Sequence, residues 1–187
     1  MSTHVAIREV ALRDGLQIEA PIPLSAKLEL LAAVAATGVR EVEATAFVSP
    51  SKVPSMADAA DLAAHLADYP DIEFSALVAS PNGARRAVAA GLRTIEYVVA
   101  ADDTFSAANV GRTSAEATEQ IADIVAIAHD GAGPPVTVEV VIATAWDSPF
   151  EGPTPPQRVL DIAAAAATAG PTGCRSPTPS ARRPPAG

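Results

Sequence analysis

Five times along this chain an apolar run of strand length is followed by a stretch with helical periodicity. That alternation limits the fold more than any other feature. The expected strands are Val5–Leu12, Val39–Phe47, Glu73–Ala79, Thr94–Ala100 and Val136–Ala143. Between them, Ser25 reads as the N-cap of a helix carrying Leu28, Leu30 and Leu31 and ending at Gly38. A second helix is expected over Met56–Leu66, and a short third opens at Pro81 and ends at Gly91. Ser114 reads as the cap of a fourth, with Ile121, Ile124, Val125 and Ala128 at helical spacing, and Pro155–Ala169 is the fifth. Strands this continuously apolar are buried on both faces, as in a parallel sheet. The pattern fits a doubly wound open sheet or a piece of a (β/α)8 barrel. No Gly-x-Gly-x-x-Gly follows the first strand, so nothing supports dinucleotide binding.

The ends of the first two strands carry chemistry. Glu9-Val10-Ala11-Leu12-Arg13-Asp14-Gly15-Leu16-Gln17 closes an apolar run with a cation and a carboxylate, and Gly15 permits a sharp turn. The second run, through Glu41, Glu43, Thr45 and Phe47, ends in Val48-Ser49-Pro50. Charged groups at the C-terminal ends of parallel strands are where barrel enzymes keep their catalytic residues.

Composition narrows the function. The formal charge is −9, the pI is about 4.7, and residues 1–170 hold ten basic side chains against all 22 acidic ones. Such a surface excludes general nucleic-acid binding but leaves room for a local cationic site for an anionic small molecule. Aromatic residues are 4% of the chain, so alanine and aliphatics fill the core. The single cysteine, Cys174, forms no intrachain disulfide and no metal cluster. No apolar run reaches the ~20 residues of a membrane span and no signal-peptide pattern opens the chain, so a cytoplasmic protein is expected.

Taken together, the motifs resemble the 3-hydroxy-3-methylglutaryl-CoA lyase family. The resemblance rests on Glu9 to Gln17, on Glu43-Ala44-Thr45-Ala46-Phe47-Val48-Ser49-Pro50 with Val53-Pro54-Ser55-Met56, on Ser106-Ala107-Ala108-Asn109 with Thr113 and Glu116, and on Ser148-Pro149-Phe150-Glu151-Gly152. Arg-Asp-Gly-x-Gln is shared with carboxyltransferases and related synthases, whereas the Phe47 to Met56 string is more particular to the lyases. The resemblance covers residues 5–170. It implies an incomplete TIM (β/α)8 barrel of about five β/α units over residues 1–170. It also implies a lyase of leucine degradation and ketone-body metabolism, cleaving a 3-hydroxy-3-methylglutaryl-CoA-like thioester to acetoacetate and acetyl-CoA.

The same resemblance assigns roles. Asp14 is implied as ligand to a divalent metal, Mg²⁺ or Mn²⁺, with the site incomplete in this chain; the other reading is an Asp of a tight turn. Arg13 is implied as stabiliser of the thioester enolate, its fixed charge and donor fork suiting that task. Glu43 is a site acid or an orienting partner of Arg13, and a barrel-interior carboxylate paired with an arginine is open for it and for Glu41. Gln17 orients substrate or Arg13, and Asn109 binds substrate or steadies a turn. Lys52, Arg85 and Arg112 could meet CoA phosphates or stay solvated. An acyl-CoA substrate is the implied partner, with a homo-oligomer open for the full-length form.

His4, His65 and His129 form no His-x-His pair, and residues 171–187 are Pro-rich without periodicity. They read as a disordered tail that leaves the fifth strand at an apolar edge. Reverse translation of residues 170–181 in a displaced frame permits an Asp-Thr-Ile-Gly segment of the kind the family carries on its next strand. The expectation is a frameshift near residue 170, real or from sequencing, and an inactive chain. A related synthase or aldolase, or a non-catalytic degenerate fragment, are the alternatives.

Overall fold

The computed structural model describes residues 6–130 and 134–170, together with the backbone of 173–175. The elements in chain order are β1 (Arg8–Glu9), α1 (Leu24–Ala36), β2 (Glu41–Phe47), α2 (Ala59–Ala63), β3 (Glu73–Val78), α3 (Pro81–Ala89), β4 (Thr94–Ala100), α4 (Asp103–Val110), α5 (Ser114–His129), β5 (Thr137–Ala143), β6 (Asp147–Ser148), β7 (Gly152–Pro153), α6 (Pro156–Ala169) and β8 (Gly173–Arg175).

One sheet holds six of the strands in the order β1-β2-β3-β4-β5-β8, every neighbouring pair parallel. Strand order follows chain order without reversal. A doubly wound sheet would reverse at a switch point, so the sheet is a half-barrel. Val42, Ala76, Ile95, Tyr97, Val99, Val138, Val140 and Ile142 are buried in one core with Leu31, Leu62, Ala84, Ile121, Ile124 and Ile162 of the helices. Tyr97 fits this apolar layer because its hydroxyl donates to the Ala117 carbonyl at 2.9 Å.

The alternate positions carry charge. Arg8 on β1 donates from Nη1 to Glu96 on β4 and to Glu139 on β5, both at 2.6 Å, and from Nε to Glu41 on β2 at 3.3 Å. Ser75 on β3 adds a 2.6 Å bond to Glu96. Lys27, also buried, is satisfied on α1 by the Ser55 carbonyl and Asp58, each at 2.5 Å.

Several boundaries differ from the sequence reading. The first strand stops at Glu9, because the Glu9 carboxylate accepts the N–H groups of Val10 and Ala11 at 2.9 and 2.8 Å. The backbone then coils into a π-helical turn over Ala11–Gly15. Ser25 lies inside α1, whose N-cap position is Pro23, and Thr113 rather than Ser114 caps α5, in a reciprocal box with Glu116. The second helix is broken into short turns around Ala59–Ala63. Beyond Gly170, where no regular structure was expected, Gly173–Arg175 pair with Glu139–Val141, so β5 is not the edge; the rest of 171–187 lies outside the described residues. No helix among the described residues is long and apolar enough to cross a membrane.

Helix α3 presses closely on the end of β2. A Cβ added at Gly83 would stand 2.4 Å from the Phe47 carbonyl oxygen, a backbone atom that cannot swing aside. Gly83→Ala is therefore expected to lower the unfolding free energy by about 1–3 kcal/mol in urea titration, despite the higher helix propensity of alanine.

Candidate functional site

The C-terminal strand ends surround a cleft of about 880 Å³, reached by Phe47 of β2, Val78 of β3, Val98 of β4 and Ala143 of β5. The π-helical turn brings Arg13 and Asp14 to the same cleft. Its geometry follows from the Val10 carbonyl, which accepts from the N–H groups of Arg13, Asp14 and Gly15 at 3.1, 2.8 and 3.3 Å. Leu12 is buried beneath the turn, so its neighbours are held outward on a fixed base. Single π turns of this kind recur at functional sites.

Arg13 is the hub. Its Nη2 donates to Glu43 Oε2 at 2.6 Å, and its Nη1 to Asp14 Oδ1 at 2.9 Å and to Gln17 Oε1 at 3.4 Å. Glu43 projects from β2, where the register with β3 shifts between Glu43 and Thr45, and its side chain is 1% exposed. Burial raises the Glu43 carboxyl to about 7; the Arg13 hydrogen bond and charge oppose this, while Glu96 and Asp14 add to it. Arg13 Nε and Glu43 Oε1 are buried without a hydrogen-bond partner.

The structure brings Arg13, Asp14, Gln17 and Asn109 to one cleft, with Glu43 bound to Arg13 behind it. Asn109 stands on the last turn of α4, a helix that the alternation of apolar runs does not mark. Asp102 caps that helix by accepting from the Phe105 N–H at 2.7 Å, and Gly111 ends it in the left-handed region. Asp102 also accepts from the Ser148 hydroxyl. Glu151, next to the β6–β7 hairpin, ties the Thr104 N–H at 3.2 Å to Arg158 of α6 at 2.7 Å. The Ser148 to Gly152 motif thus fastens the loop after β5 to the helix that carries Asn109.

Of the cations expected at CoA phosphates, Lys52 and Arg112 line the cleft. Arg85 is exposed and does not line it, whereas Arg86, which the sequence reading missed, does. Its signal was its position three residues after Gly83, on the helix face that presses on β2. Trp146 is exposed on the loop after β5, and nothing in the structure explains it.

Asp14 is the one carboxylate among the residues that line the cleft. Asp14 is 66% exposed with one oxygen held by Arg13, and among the described residues no three His, Cys, Asp or Glu side chains are placed to hold a metal ion. The residues present therefore do not make a metal site by themselves.

A sequence model of the HMGL-like family matches residues 4–178. The chain belongs to the HMGL-like family. The match runs eight residues past Gly170, where the sequence resemblance had stopped, and takes in β8. HMGL-like relatives include the cytoplasmic 3-hydroxy-3-methylglutaryl-CoA lyase of Mus musculus, 33% identical over 85% of this chain and 46% of that protein. The hydroxymethylglutaryl-CoA lyase of Pseudomonas mevalonii is 32% identical over 85% and 52%. The (R)-citramalyl-CoA lyase of Chloroflexus aurantiacus is 36% identical over 85% and 53%. Among solved structures, the HMG-CoA lyase of Brucella melitensis superposes with a TM-score of 0.84 at 29% identity, covering 94% of this chain and 61% of that one. The HMG-CoA lyase of Acinetobacter baumannii in complex with coenzyme A and 3-methylmalate gives 0.84 at 27% identity, covering 91% and 55%. The chain spans about half the length of the curated relatives it matches.

Because burial raises Glu43 from 4.5 in the unfolded chain to about 7 in the fold, its contribution to stability is full below pH 4.5 and is lost as pH rises to about 7. Glu43→Gln removes that titration. Urea midpoints between pH 4.5 and 7.5 are expected to fall less steeply with pH in the variant than in the parent protein.

Proposed function

We propose that this chain forms the Arg13 side of the active site of a carbon–carbon lyase acting on 3-hydroxy-3-methylglutaryl-CoA or a similar 3-hydroxyacyl-CoA. The observation that carries the reading is Arg13, fixed by Glu43 at 2.6 Å and lining an 880 Å³ cleft at the C-terminal strand ends. The lyase relatives and the structural neighbour crystallised with coenzyme A support the choice of substrate class.

The reaction breaks the bond between the carbon next to the thioester and the carbon bearing the tertiary hydroxyl. That hydroxyl loses its proton and becomes the ketone of acetoacetate. The bonding electrons move to the thioester, giving an enolate that takes a proton and leaves as acetyl-CoA. Arg13 stabilises the enolate oxygen, a task for which a permanent, preorganised cation is suited. Glu43 is its positioning residue, Gln17 holds it from the other side, and Asn109 binds substrate from α4. A divalent cation would supply Lewis acidity at the hydroxyl and carboxylate oxygens, with Asp14 as one oxygen ligand. Among the described residues no group of three His, Cys, Asp or Glu side chains would complete that site.

A second reading of the acyl group, a citramalyl-CoA-type thioester giving pyruvate and acetyl-CoA, is favoured by the relative at 36% identity. Both use the same Arg13 chemistry and differ in the ketone released.

Incubating the 187-residue chain with 3-hydroxy-3-methylglutaryl-CoA and Mg²⁺ or Mn²⁺ tests the reading at two levels. Binding is expected, weakened about tenfold or more by Arg13→Gln. Release of acetoacetate is expected to be absent or near the detection limit, because one carboxylate does not hold the metal. No binding would remove the acyl-CoA reading, and rapid metal-dependent cleavage would overturn the view that these residues make only half a site.

A further inference from the structure

The geometry points to a second anion-binding subsite in the cleft, built by Arg86 of α3 and Arg112 between α4 and α5, that receives a phosphate or carboxylate group of the ligand away from Arg13.

Among the described residues the cleft is lined by four cations, Arg13, Lys52, Arg86 and Arg112, against one carboxylate, Asp14. In a chain of formal charge −9 that local excess is unusual. Arg13 is neutralised by Glu43 and Asp14. Arg86 and Arg112 are not. Arg86 donates from Nη1 to the Val48 carbonyl at 3.1 Å and lies 5.6 Å from the Phe47 ring centroid. Arg112 donates from Nη1 to the Ala79 carbonyl at 3.2 Å and to Gln120 Oε1 at 3.0 Å. Every one of these acceptors is neutral, and neither arginine has a carboxylate within ion-pair distance among the described residues. Glu116 feels the Arg112 charge from farther away, and its Oε2 accepts from the Thr113 N–H and hydroxyl at 2.8 and 3.0 Å.

One terminal nitrogen of each guanidinium therefore pins a strand-end backbone: Val48 after β2, and Ala79 after β3. Of five donors each, Arg86 uses one in this way and Arg112 two, the second on Gln120. Neither guanidinium holds a buried nitrogen without a partner, and both residues line the cleft. Two guanidinium groups braced by neutral acceptors keep their full charge for a ligand and have less side-chain freedom to lose when it binds. The N-terminal end of α3 lines the same cleft through Asn82 and Gly83 and adds the positive end of its dipole. The ligand chemistry that matches is an oxygen-rich anion.

The inference rests on the acyl-CoA reading for its ligand but is tested separately from it. Inorganic pyrophosphate is titrated calorimetrically into the full chain, its Arg86→Gln and Arg112→Gln variants, and the charge-keeping Arg86→Lys and Arg112→Lys variants, with thermal melts checking that each is folded. The parent is expected to bind, each Gln variant to weaken about tenfold or more, and each Lys variant to keep most of the affinity. If the parent does not bind pyrophosphate, or the folded Gln variants bind it as the parent does, the subsite is wrong. Coenzyme A, pantetheine and 3-hydroxy-3-methylglutarate then name the source. A loss for coenzyme A with pantetheine unaffected assigns the nucleotide phosphates, and a loss for the dicarboxylic acid alone assigns the acyl carboxylate. Pyrophosphate binding that depends on both arginines, with no affinity for coenzyme A or the acid, would keep the subsite and remove the acyl-CoA reading.

Discussion

Arg8 closes the curl of the sheet. In a flat sheet β1 and β5 would lie four strand spacings apart, about 19 Å, farther than an arginine and a glutamate can reach together. Yet Arg8 Nη1 stands 2.6 Å from Glu139 on β5 and 2.6 Å from Glu96 on β4. One guanidinium thus bridges the concave face of the half-barrel. The arrangement is costly to disrupt, because removing the cation leaves carboxylates in a place where water reaches them poorly. The curl in turn makes the strand ends converge, and without convergence Arg13 and Arg112 would not line one cleft.

The site repeats the same physics one layer nearer the C-terminal ends. Glu43 is more deeply buried than any carboxylate in the Arg8 cluster, and a single oxygen of it is satisfied. A carboxyl so placed gains little stability from its ion pair and instead fixes the direction of Arg13. Its neighbours are braced by backbone: the Val10 carbonyl holds the π turn, and Arg86 and Arg112 hold the strand ends. Three of the four cations that line the cleft are therefore held by named hydrogen bonds.

Much of this was legible in the sequence, and the failures have particular causes. Strand β4 occupies Thr94–Ala100 as periodicity predicts, because nothing polar competes with its ladder. The first strand is shorter than its apolar run, since the Glu9 side chain takes the next two N–H groups and starts a turn that hydrophobicity cannot register. Helix α4 hid in a polar stretch, although Asp102 and Gly111 are the cap and stop signals that would have exposed it. Arg13, Asp14 and Gln17 were readable as a motif at a strand end. Glu43 was readable as a partner of Arg13 because its face of the strand is fixed by alternation. Arg8, Glu96 and Glu139 were not, because the bonds that define them join residues 88 and 131 positions apart. Arg86 was passed over for Arg85, and only the contact of Gly83 with Phe47 decides which of the two turns inward.

The Arg8 cluster holds the curvature on which the cleft depends. The most direct measurement is the unfolding free energy of Arg8→Met together with its affinity for coenzyme A, both compared with the parent chain. A loss of about 3 kcal/mol or more and weakened binding are expected, although Arg8 does not line the cleft. An Arg8→Met protein with parental stability and parental affinity would show that the sheet curls without its charged tie.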